Sequence, residues 1–182
     1  MLWFHCDNDT GQIVAAGMSC TLEEAQKNLA PEGKSLFIVP DGTVNAFQLP
    51  HDFTILKRVL SDAVDKGAGE FSSRFVTVAA TQEMRYQEKY SEAVNWTPET
   101  DPADVPFLRE EADATGQSIE VVATTVKQTR QVWKIIGSKI EGRRMGAKQA
   151  IANAETLPAI MAAANVDWES LVPVPASAEP DA

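Results

Sequence analysis

The stretch SIEVVATTVKQTRQVWKIIGSKIEGRRMGAKQAIANA, residues 118–154, decides the fold. It holds no proline, and apolar residues return every seven positions at Ile119, Val126, Trp133, Ile140, Ala147 and Ala154. Seven residues are close to two helical turns, so these six side chains share one side of a helix and form a seam. Val122, Ile136 and Ala150, each three residues past a seam position, widen it; Thr129 and Arg143 at the same offset interrupt it. At a rise of ~1.5 Å per residue the helix is roughly 55 Å long. An ordinary globular helix has about 11–12 residues. An amphipathic helix of this length requires a partner, from its own chain or from another. Ser118 offers an N-cap hydroxyl. Gly137, Gly142 and Gly146 each cost about 0.5–1 kcal/mol against alanine inside a helix, which predicts close approach by another helix, a kink, or both.

Charge is unevenly spread. Lys127, Arg130, Lys134, Lys139, Arg143, Arg144 and Lys148 face only Glu120 and Glu141 within the stretch, a local net of +5 in a chain of net −10. Just upstream lie Glu99, Asp101, Asp104, Glu110, Glu111 and Asp113, offset by Arg109 alone. An acidic segment before a basic helix predicts pairing across a helical hairpin. Exposed pairs contribute about 0–1 kcal/mol each, so they would set register more than stability. The overall acidity argues against general nucleic-acid binding, which draws on a basic surface. No apolar run approaches about 18 residues, so no membrane insertion is expected. The opening Met-Leu-Trp-Phe-His-Cys lacks the basic and apolar regions of a secretory signal, which predicts synthesis and folding in the cytosol.

Outward from the long helix, the N-terminal region reads as strands. Leu2–Asp7 and Gln12–Met18 flank Asn8-Asp9-Thr10-Gly11, a turn sequence, and predict a β-hairpin. A calcium loop at Asp7–Gly11 is disfavoured, because the glycine comes one residue early and Met18 stands where a bidentate glutamate is needed. Thr21-Leu22-Glu23-Glu24 is a capping box that starts a helix ending near Leu29. Ser35–Val39 reads as a strand, and Val44–Leu49 as a further candidate strand. Asp52–Lys66 has helical spacing and is punctuated by Gly67 and Gly69; a strand at Phe53–Leu56 with a shorter helix is the alternative. Phe71–Ala80 fits either strand or helix start. Thr81–Trp96 is helical, and Pro98 and Pro102 break it. Ala103–Ala114 reads as a short acidic helix closed by Gly116. Glu155–Ala164 reads as a final helix with Pro158 in its first turn.

The predicted class is therefore α+β: a small β-rich N-terminal domain followed by an α-helical hairpin or bundle. The boundaries are residues 1–50 for the β-rich domain, 51–80 for a connecting helix or strand region, and 81–168 for the helical domain. A disordered tail over 169–182 is expected, since Val172–Ala182 holds three prolines, no aromatic residue and net negative charge.

The sequence offers no catalytic constellation. It lacks a phosphate-binding glycine loop, a GxSxG elbow and an HExxH pair. Cys6 and Cys20 are too few for a disulfide framework, and with His5 and His51 they show no metal-ligand spacing. Glu110-Glu111 and Asp101/Asp104 read as a solvated face, and Tyr86 with Tyr90 as packing residues. No catalytic residue, metal site or cofactor is expected.

Ser73-Arg74-Phe75-Val76-Thr77-Val78, followed by Gln82-Glu83-Met84-Arg85-Tyr86-Gln87-Glu88-Lys89-Tyr90-Ser91-Glu92-Ala93, resembles a pattern in short proteins encoded beside tail-fibre genes of tailed bacteriophages and prophages. There an R-F-(I/V)-T stretch leads into a Q-x-M-x-Y-x-x-K-x-x-E-A helix. A P-x-L-x-x-E-A-x-A-T-G segment follows, matched here by residues 106–116, and then an I-E-x-x-R-x-x-A-K-x-A-I run, matched by residues 140–151. The resemblance covers roughly residues 70–165. It implies a non-enzymatic tail structural protein, a component of or adaptor for the fibre or baseplate, assembled in the host cytoplasm and carried in the virion. A tail-fibre assembly chaperone that leaves the finished particle is the alternative. The implied partners are other phage tail proteins and copies of the chain itself, a trimer being compatible with the seven-residue seam. Candidate interaction residues are Trp133, Ile140, Arg143, Arg144 and Lys148. The half of the long helix before Gly137 is expected to pack on residues 81–115, and the later half to meet a neighbouring subunit.

Overall fold

Alternation along the first strand sets the core. Leu2, Phe4 and Cys6 are buried while Trp3, His5 and Asp7 are half-buried, the period-two pattern of a sheet covered on one face. The computed structural model describes residues 1–46, 48–75 and 80–172. Strands β1 (Leu2–Asp7), β2 (Ile13–Met18) and β3 (Lys34–Val39) form an antiparallel sheet in the order β2-β1-β3. Gly11, at φ 69°, turns the β1–β2 hairpin in the left-handed region, and the Asp7 carboxylate accepts from the Thr10 amide at 3.0 Å. Trp3 pairs with Gly17 across the hairpin; a Cβ at Gly17 would lie 2.3 Å from the indole, so the ring requires the glycine. The fold is α+β, as the sequence predicts.

The helices are α1 (Leu22–Gln26), α2 (Thr54–Ser72), α3 (Ala80–Asn95), α4 (Pro106–Thr115), α5 (Ile119–Asn153) and α6 (Leu157–Ala164). The capping box forms at α1: the Glu24 amide donates to Thr21 Oγ1 at 3.1 Å, and Glu24 accepts from the Thr21 amide at 3.2 Å. The helix stops three residues before Leu29, because the Asn28 side-chain amide donates to the carbonyls of Glu24 and Ala25. Among the described residues of Val44–Leu49 no strand forms. Helix α2 continues past Gly67 and Gly69, where the sequence predicts its end. A Cβ at Gly67 would lie 2.9 Å from Trp168 Nε1, so this glycine admits an indole and does not break the helix. The acidic segment at 103–114 starts as a 3-10 turn at Pro102–Asp104, and α4 proper begins at Pro106, a residue with no amide proton to leave unpaired. A 3-10 turn at Glu169–Leu171 also lies inside the expected tail: Leu171 is buried, and the Ser170 hydroxyl donates to the Asp167 carbonyl at 2.9 Å. The readings for residues 76–79 and from 173 onward fall outside the described residues.

The residues gather into two compact units, one of 1–68 with 141–170 and the other centred on 69–140. This grouping differs from boundaries drawn at 50 and 80. A three-stranded sheet cannot bury its inner face alone, and its cover comes from far along the chain. Phe4, Val39, Leu56, Ile151, Leu157 and Ile160 form one core, joined by Cys6, Val64 and Ala147. In the other unit Ala93, Val105, Leu108, Ala112, Val122 and Ala123 form a smaller core flanked by Trp96, Ile119 and Val126. The first half of α5 therefore packs on residues within 81–115, as predicted.

All six seam residues are buried or half-buried. The residues beside them change along the helix. Val122 and Ile136, three past a seam position, are buried, as are Ala123 and Ile151, four past; Ala150 is exposed. A helix of 3.6 residues per turn drifts about 20° per heptad from a seven-residue repeat, so the buried neighbour is not held at one offset: Val122 and Ala123 both flank Ile119, Ile136 follows Trp133 at +3 and Ile151 follows Ala147 at +4.

Candidate interaction site

The residues singled out on α5 fall into different environments. Ile140 is only 4% exposed, so its side chain is already covered and offers no surface for a partner. Arg144 and Lys148, four residues apart on one helical face, converge on Asp65 of α2: Arg144 Nη1 donates to Oδ1 at 2.6 Å and Lys148 Nζ to Oδ2 at 2.5 Å. Arg144 also holds Glu141 through two hydrogen bonds, at 2.7 and 2.8 Å. Hydrogen bonds from Lys148 and then Arg144 hold the Asp65 carboxyl below its usual range, while Glu141 and Asp65 raise the Arg144 guanidinium. These two cations are anchors of the sheet-bearing unit. Arg143 points elsewhere; it is exposed and lines a shallow groove with Gly142, Gly146 and Ala150. A Cβ at Gly142 or Gly146 would meet nothing within 4 Å, and one at Gly137 would meet the Trp133 indole at 3.3 Å. The close helix approach expected at these glycines does not occur within the described residues.

The acidic segment pairs differently from the sequence expectation. Glu111 accepts from Lys89 of α3, and Glu110 from Arg109 at 2.7 Å. Asp101 caps the turn below α4 by accepting from the Ala103 amide at 2.9 Å. None of these reaches α5. The reason lies in the Glu92 carboxylate on α3, which accepts from the Phe107 and Leu108 amides at 3.2 and 2.9 Å. Val105, the residue before α4, makes no side-chain cap, so Glu92 supplies the missing acceptor and draws α4 onto α3. The sequence signal was a glutamate in one motif and a cap-less helix start in the next. Spacing alone could not join them.

With α4 committed to α3, the cations on the first half of α5 are left over. Lys127, Arg130 and Lys134 have no carboxylate partner among the described residues. Arg130 instead lies over the Tyr90 ring, 5.4 Å from its centroid, and Lys89 lies 5.5 Å from that of Tyr86. Between these groups opens a cleft of about 310 Å3, lined by Phe75, Tyr86, Tyr90 and Trp133 together with Lys89, Arg130 and Glu111. Tyr86 is 50% exposed, so the tyrosines read as packing residues form a wall of this cleft. The volume falls near the lower end of ligand pockets, about 300–1,000 Å3. Trp133 is therefore the one α5 candidate whose ring borders it.

Elsewhere, Cys6 is buried and its thiol is pushed up to about 11 by desolvation, which keeps it protonated. A ring nitrogen of His5 and one of His51 each lie within hydrogen-bond distance of a backbone carbonyl, at 3.0 and 3.2 Å. Among the described residues no three His, Cys, Asp or Glu side chains converge as a metal site, and no helix is long and apolar enough to cross a membrane. Comparison of the chain with protein-family models, with curated proteins and with solved structures returns no match.

Proposed function

We propose that this chain is a non-enzymatic structural protein of a bacteriophage tail, a component of or adaptor for the fibre or baseplate. The supporting observation is how the residues carrying the resemblance are used. Lys89 of the first motif pairs with Glu111 of the second; Glu92 of the first caps the helix on which the second lies. Ala93, Leu108 and Ala112 share one core, and Gly116 ends α4 at φ 69°. In the third motif Glu141, Arg144 and Lys148 form the network on Asp65, while Ala147 and Ile151 enter the other core. A pattern spent on packing and anchoring suits a protein whose role is to present surfaces. Self-assembly, a trimer included, would use the open face of α5 at Gly142, Arg143, Gly146 and Ala150.

Mass spectrometry of purified particles from the phage or prophage encoding this chain tests the proposal. Its peptides are expected in the particle, in a fixed ratio to a fibre or baseplate protein. Absence from particles contradicts a structural role. If the fibre protein is then soluble only when this chain is co-expressed, the chain is a fibre chaperone.

A further inference from the structure

We infer that the aromatic cleft of the helical unit is a docking site for a short acidic peptide of a partner protein, bearing apolar side chains between its carboxylates. Two independent features converge there. One is the set of rings, Phe75, Tyr86, Tyr90 and Trp133, around an open volume of about 310 Å3. Phe75 and Tyr86 are exposed and Tyr90 and Trp133 half-buried, and exposed ring surface of this kind accepts apolar side chains and proline rings of an extended segment.

The other is charge. Lys127, Arg130 and Lys134 follow one another at intervals of three and four, so they make one stripe along α5, of which Arg130 lines the cleft. The chain carries an excess of ten negative charges, yet none of its described carboxylates pairs with this stripe. The contrast within the same helix is direct, since Arg144 and Lys148 both found Asp65. Glu111 in the lining is neutralised by Lys89, so the lining's remaining charge is that of Arg130. An acidic peptide meets both features at once: its apolar groups lie on the rings and its carboxylates on the stripe. A nucleic acid would also stack on the rings, but it draws affinity from many phosphate contacts, and here only three cations, without a carboxylate partner among the described residues, stand in a strongly acidic protein. The inference rests on the cleft alone and holds whether or not the chain is found in virions.

Fluorescence anisotropy on the full chain tests it, with matched sets of short labelled peptides of equal apolar content and acidic, neutral or basic charged positions. A single-stranded oligothymidylate is the control. The acidic set is expected to bind at least about tenfold more tightly than the neutral set, with the oligothymidylate no better. Lys127→Glu with Arg130→Glu should abolish that preference and shift it toward the basic set, a reversal that loss of folding cannot mimic. Tyr86→Ala should weaken all peptide binding while leaving the circular dichroism spectrum unchanged. Equal binding of the three sets, or a preference for the oligothymidylate, overturns the inference. So does acidic-peptide binding that appears only when the chain is cut after Val172, because the cleft would then belong to the chain's own C-terminal segment. Concentration-dependent self-association that disappears in the Arg130→Glu protein likewise overturns it, making the occupant a second copy.

Discussion

The two halves of α5 carry the same kind of side chain and use it in opposite ways. After Ile140 two of the three cations are held inward, and only Arg143 stays exposed: Arg144 and Lys148 share Asp65, and Arg144 also binds Glu141. Before it Lys127, Arg130 and Lys134 have no carboxylate among the described residues, and Arg130 rests on an aromatic ring. The difference comes from what each half packs against. Helix α2 brings Asp65 opposite the later half. The acidic segment that could have served the earlier half is drawn to α3 by Glu92 and Lys89. A run of positive charge is therefore not one feature; its meaning is set by the carboxylates that the fold leaves within reach.

The largest effects should come from the two cores. Ile151→Ala in the sheet-backed core and Leu108→Ala in the helical core each remove a fully buried side chain. Each should cost about 2–5 kcal/mol, measured by urea denaturation. A loss below about 1 kcal/mol at either position would mean that its core is not close-packed.

Next is the link between α3 and α4. Glu92→Ala removes the only side-chain acceptor at the start of α4 among the described residues, and should cost about 1–2 kcal/mol. Amide exchange should quicken at Phe107 and Leu108 first. Unchanged protection at both would show that α4 needs no cap from α3.

The Asp65 anchor is expected to be smaller and to depend on pH. Its carboxyl is held below the ordinary 3.8 by Lys148 and Arg144. A depressed carboxyl adds stability above its unfolded pKa and loses it as pH falls through the folded value. The contribution is thus whole near neutrality and disappears in acid, below about pH 4. Asp65→Asn should lower the urea midpoint at neutral pH and flatten its decline on acidification. An identical acid limb in both proteins would show that the network adds nothing to folding.

Much of this arrangement was legible because its causes are local. The Asn8–Gly11 turn, the Thr21–Glu24 box, the Gly116 stop and the seven-residue seam each act within a few residues. The structure reproduces all of them, with α5 running from Ile119 to Asn153. What was hidden depends on distance along the chain. Asp65 lies 79 and 83 residues from Arg144 and Lys148, and no periodicity points from one to the others. Gly67 reads as a helix end because its use, admitting the indole of Trp168, is set by a residue 101 positions later. The cleft shows the same limit. Tyr86, Tyr90 and Trp133 were each visible as apolar, but that they line one cleft depends on residues more than 40 positions apart in the chain meeting in the fold.

The most direct test of the contrast along α5 is urea denaturation of two charge-reversed proteins side by side at neutral pH. One carries Arg144→Glu and Lys148→Glu; the other carries Lys127→Glu, Arg130→Glu and Lys134→Glu. The first should unfold at a clearly lower midpoint, because it sets two new carboxylates against Asp65 and Glu141. The second should unfold where the unaltered chain does, with the same slope. A second protein as destabilised as the first, or a first protein left unchanged, would contradict the division of this helix into an anchoring half and a presenting half.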